Sequence, residues 1–188
     1  MKTTESSSNP DLQSWILDFL SKPNKVFDNL PPCPFAKKAW MDGNVEVKKF
    51  EGLKLLDKDL DNWNNEVVIY EFEDKPGLVR DLEIVCGVYN YRRPEFLFYD
   101  EHPTQVEEVS GVIINSGLAL LIVQKRKELE EARAELMKTG YYDKWTPEMK
   151  ERIIDRGTKR LVELYQQHQE ELGRGRSRLH QEISTIYY

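Results

Sequence analysis

Apolar residues recur along the chain in two rhythms, one of helical period and one alternating, and the change between them divides the sequence into elements. Leu12, Trp15, Ile16, Phe19 and Leu20 form one stripe at helical spacing. Asn9 can cap that helix, Pro10 fits its first turn, Asp11 suits the positive end of its dipole, and Pro23 ends it. Leu30-Pro31-Pro32-Cys33-Pro34-Phe35-Ala36 follows, held extended by three prolines. A short helix is expected from Pro34 to Trp40, stopping near Gly43. Val45, Val47 and Phe50 predict a strand, and Asp57 to Asn64 a short helix.

The run Glu66 to Phe72 is the strongest strand signal, dense in β-branched and aromatic residues. Asp74 and Pro76 read as a cap and a first-turn proline, opening a helix that buries Leu78, Leu82, Val85, Cys86 and Tyr89. Glu95 to Asp100 is a third strand, and Gly111 to Ile114 a short fourth. From Ser116 the positions Leu118, Ile122, Lys125, Leu129, Ala132 and Leu136 step by fours and threes, which predicts a helix ended by Gly140. Thr146-Pro147-Glu148 opens another, with Met149, Ile153, Leu161, Leu164, Tyr165 and His168 inside. Two such helices on a short loop form an antiparallel hairpin.

The order predicts an α+β fold: a small mixed or antiparallel sheet, ferredoxin-like in a first reading, with helices on one face and a C-terminal helical hairpin. The expected divisions are a disordered tail over 1–9, an α+β domain over 10–115, the hairpin over 116–172, packed on that domain or extending from it, and a flexible Arg-containing tail over 173–188.

Composition narrows the classes. With 188 residues, 39% hydrophobic and 11% aromatic, the chain can bury a core without staples. A net charge of −6 argues against general nucleic-acid binding; the tail Arg174, Arg176 and Arg178 is a local exception. Two cysteines make no disulfide framework, which points to a reducing, cytoplasmic compartment. No apolar run approaches the roughly 20 residues of a membrane span, so no membrane partner is expected. Phosphate-loop, dinucleotide-fold and zinc-protease motifs are absent, and no metal or cofactor is expected.

The candidate chemistry centres on Cys33 and His102. A thiol before a helix is favoured as thiolate by the dipole, and a histidine in reach can activate it. Asp100, two residues before His102, can orient the ring. Against this stands a plainer reading: Cys33 as a small buried residue and His102 as a turn residue satisfied by backbone. Arg92 and Arg93 can clamp a carboxylate or phosphate, or stand as a solvated loop end. Tyr89, Tyr91, Tyr99, Tyr141, Tyr142 and Trp145 can line a pocket or pack as core.

The run Pro32-Cys33-Pro34-Phe35-Ala36 after a helix, with the later pair His102-Pro103 and the loop Asn115-Ser116, resembles a small bacterial family of unassigned function marked by a Cys-Pro-Phe-Ala segment. The likeness covers about residues 12–132; Gly117 and Leu118 depart from the family's Asn loop. Asp100 to Pro103 and Gly140 to Trp145 are also similar to proteins of bacteriophages of marine cyanobacteria, which implies a phage-encoded protein working in the host cytoplasm. The leading functional expectation is an interaction or accessory protein that binds a protein partner or self-associates through its hairpin. The alternatives are an enzyme or metal site at Cys33 and His102, and a small-anion module at Arg92 and Arg93.

Overall fold

A computed structural model describes residues 10–50, 59–61, 63–105, 108–109, 112–113, 115–147 and 150. Helix α1 (Pro10–Ser14) continues as a π-helical segment (Trp15–Leu20) whose wider turn closes with the Ser21 hydroxyl donating to the Ile16 carbonyl at 2.6 Å. Helix α2 is Ala36–Met41, α3 is Leu78–Arg92 and α4 is Arg126–Lys138. Strands β1 (Val45–Lys49), β2 (Val67–Glu71), β3 (Phe96–Glu101) and β6 (Leu120–Lys125) form a four-stranded sheet in the order β1-β2-β6-β3. A small hairpin, β4 (Glu108–Val109) with β5 (Val112–Ile113), stands apart from it.

β1 and β2 are parallel, while β6 runs antiparallel to both its neighbours, β2 and β3. β2 and β3 therefore point the same way with β6 between them, and α3 makes the crossover. The sheet is mixed and the fold is α+β.

Two expectations are corrected here. The helix predicted from Ser116 is, over Leu120–Lys125, the inner strand β6; the helix begins only at Arg126. Within the apolar run from Leu118 to Val123, Leu121 and Val123 are buried against one face and Leu120 against the other, and an apolar strand covered on both sides carries no alternation to distinguish it from a helix seam. The same double burial places helices on both faces rather than one. Val68, Tyr70, Leu121, Val123 and Phe98 face α3, packing on Leu78, Leu82, Val85, Cys86 and Tyr89. Ile69, Leu120 and Ile122 face the other way, toward Leu12 and Ile16. The second helix of the expected hairpin and the tail over 173–188 lie outside the described residues; the chain turns at Gly140, φ +74°, and Pro147 and Lys150 are again helical.

The exposed edge of β3 is closed from within. The Asn90 amide of α3 accepts from the Phe98 N–H at 3.0 Å and donates to the Phe98 carbonyl at 2.9 Å, taking the backbone groups that face away from β6.

Candidate functional site

The residues singled out by sequence do not gather at one place. His102 is 4% exposed and lies on the α3 side of the sheet. Its Nε2 meets Asp74 Oδ1 at 3.0 Å, and its Nδ1 meets the Thr104 hydroxyl at 2.8 Å and accepts from the Thr104 N–H at 3.2 Å. Both ring nitrogens are thus spent on tying the turn after β3 to the segment before α3. Asp74, expected to cap α3, serves the imidazole instead, and Gly77 in the left-handed region takes the N-cap position. Asp100 does not orient His102; its carboxylate accepts from Gln105 Nε2 at 2.9 Å, an amide it shares with Glu83 of α3.

Cys33 lies on the opposite face. Its amide donates to the Leu20 carbonyl at 2.8 Å, which fastens the proline-flanked segment to the end of the π-helical turn. Burial pushes its thiol above the ordinary range; the N–H groups of Phe35 and Ala36 and the Arg133 guanidinium pull the other way without overcoming it. The thiol is therefore protonated at neutral pH, the reverse of an activated nucleophile. The triad of Cys33, His102 and Asp100 is not assembled.

Arg92 and Arg93 do not form a clamp. Arg93 donates to Glu95 at 2.7 Å, pairs with Asp61 at 3.2 Å and lies 5.2 Å from the Phe96 ring centroid. Arg92, one residue earlier, is exposed at the end of α3. Among the described residues no three His, Cys, Asp or Glu side chains gather as a metal ion requires, and no helix is long and apolar enough to cross a membrane.

What the fold does build around Cys33 is a groove of about 430 Å³. Its floor is the sheet face away from α3, where Val67, Ile69 and Ile122 are the apolar positions. One wall is the π-helical segment and the proline-flanked stretch; the other is α4, through Leu129, Ala132, Arg133 and Leu136. Asp28 and Asn29, both in the left-handed region, turn the chain back so that Leu30 pairs with Asn24 and leads into Pro31. Phe27 and Trp145 pack at 5.4 Å between ring centroids, Lys144 pairs with Asp28 at 2.6 Å, and the Tyr141 hydroxyl donates to the Pro31 carbonyl. These contacts fix that end of the groove.

Charged and amide side chains edge this lining, Lys38, Asn44, Glu66, Glu101, Lys125 and Arg133 among them. Arg133 donates to the Tyr99 hydroxyl at 3.3 Å, and Glu101 accepts from the Ser116 N–H at 3.1 Å. The Trp145 indole N–H is buried with no hydrogen-bond partner among the described residues. Burial also pushes the phenols of Tyr141 and Tyr142 upward, so both stay neutral beside the thiol. Tyr142 and Trp145 were legible as pocket candidates because aromatic side chains cluster after Gly140. Glu101, Arg133 and Ile122 were not: their face of the sheet follows only from the register of β6 on β2 and β3.

The chain matches no protein-family model, no curated protein and no solved structure at a significant level.

Proposed function

We propose that the protein is a non-catalytic interaction protein whose groove receives an apolar segment of a protein partner. One observation carries this reading: the groove of about 430 Å³ is lined predominantly by apolar side chains, and its single thiol is held protonated. That volume lies in the range of sites that enclose ligand-sized apolar groups. The separation of Cys33 from His102, and the internal ion pairs of Arg93, leave the catalytic and anion-binding alternatives without an assembled site. The two free cysteines support a reducing, cytoplasmic setting. The unit of β2, α3, β3 and β6 supports reading the domain as a ferredoxin-like variant, with β1 added parallel to β2.

The test is a titration with 8-anilinonaphthalene-1-sulfonate, a dye that fluoresces on entering apolar sites. The full chain should bind it saturably, and Leu129→Asp, which puts a charge on the α4 wall, should weaken binding by about tenfold or more. No saturable binding, or equal binding by the variant, removes the reading.

A further inference from the structure

We infer that the groove's resident occupant is the chain's own C-terminal segment, residues 151–172, which docks beside α4 and must be displaced by any partner. The inference rests on the groove being a binding surface and names what regulates it. Three observations point the same way.

The first is where the described chain leaves. Trp145 lines the groove, Pro147 and Lys150 are helical, and the Lys150 N–H donates to the Thr146 carbonyl at 3.0 Å. The onward chain therefore sets out as a helical turn two residues past a groove wall. The loop between α4 and that turn has the short length typical of antiparallel helix neighbours.

The second is the chemistry of the segment. Ile153, Leu161, Leu164 and Tyr165 recur at helical spacing, and Asp155, Arg156, Lys159, Arg160 and Glu163 fall between them, with Ile154 and Val162 as further apolar positions. An amphipathic helix of this kind matches a groove walled by Leu129, Ala132 and Leu136. Its carbonyl and amide groups also offer acceptors to Trp145, whose indole N–H is otherwise unpartnered among the described residues. The third is tethering. A segment joined directly to the groove wall acts at an effective concentration of roughly millimolar, so modest intrinsic affinity suffices.

The two native thiols provide the test. Cys33 lines the groove, while Cys86 is 3% exposed on the far side of the sheet and reports global opening. In the full-length chain, Cys33 labelling by 4,4′-dithiodipyridine should be slow and independent of protein concentration. Leu161→Asp should accelerate it by about tenfold with Cys86 still protected, and Glu163→Lys, on the opposite helical face, should leave it unchanged. Equal Cys33 rates in wild type and Leu161→Asp overturn the inference. Protection that grows with protein concentration also overturns it, because a second copy then covers the groove.

A gentler variant guards against misfolding. Leu161→Cys in the full chain should label about tenfold more slowly than Glu163→Cys, and equal rates refute docking. Saturable dye binding with unchanged Cys33 rates removes self-docking alone; no saturable dye binding by the wild type removes the groove reading itself.

Discussion

On the α3 face of the sheet, Tyr70, Phe98, Leu121 and Val123 are no more than 1% exposed and meet a helix whose buried stripe is complete. On the opposite face, the same strands offer Ile69 and Leu120 to α1 but leave Val67 and Ile122 half-buried beneath a groove. The strands contribute equally to both faces; the helices do not. A single fifteen-residue helix lies along one face, whereas short α1, α2 and the offset α4 share the other. A face closed by one long helix is committed to stability. A face divided among short elements keeps apolar surface for something else.

That contrast can be broken in several ways. The largest effect should come from the closed face. Phe98→Ala should cost about 3–5 kcal/mol in denaturant titrations, from lost burial plus a cavity that cannot collapse. Ile122→Ala, on the same sheet but under the groove, should cost less than half of that; equal costs would erase the distinction between the faces.

Asn90→Ala comes next, at about 1–3 kcal/mol, because the Phe98 N–H and carbonyl lose the amide that closes the β3 edge. Concentration-dependent association of that variant, read by light scattering, would show the newly open edge pairing.

Tyr70→Phe should be milder, about 1 kcal/mol at neutral pH, since it removes the bond to Asp59, which keeps Lys48 at 2.8 Å. Its signature is in the alkaline limb. Burial and then the Asp59 bond push the Tyr70 phenol above its ordinary value of 10.0. The unfolded chain releases that proton from about pH 10 while the native state keeps it, so this stabilisation is present below pH 10 and lost above it. The variant should lose stability less steeply above pH 10 than the wild type. The smallest stability change belongs to Leu129→Asp, below about 1 kcal/mol, since the site is half-buried on an exposed helix. Its effect should appear in dye binding.

The closed face was readable in the sequence, and of the groove only the aromatic residues Tyr99, Tyr142 and Trp145 were. The stripe of Leu78, Leu82, Val85, Cys86 and Tyr89 named α3 and its buried side, because one helix face meets a core that never touches water. The proline-flanked Cys33 marks a special segment, yet its surroundings come from Tyr99 of β3 and from Arg133 and Tyr142, which follow the last strand of the sheet. Asp74 looked like a helix cap since a carboxylate before a proline and a helix usually is one. Its partner His102 lies 28 residues on, across the α3 crossover, and no local pattern links them. The misread at Leu120–Lys125 has the same origin: a strand buried on both faces loses the alternation by which strands are recognised.

The two cysteines, one on each face, also allow the most direct test of the central claim that only one face is a binding face. Thiol labelling of the Leu161→Asp chain, in which the groove is uncovered, should be followed with and without saturating 8-anilinonaphthalene-1-sulfonate. The account predicts that the dye slows Cys33 labelling by about tenfold and leaves Cys86 unaffected. Dye that binds without slowing Cys33, or that changes both thiols alike, would contradict it.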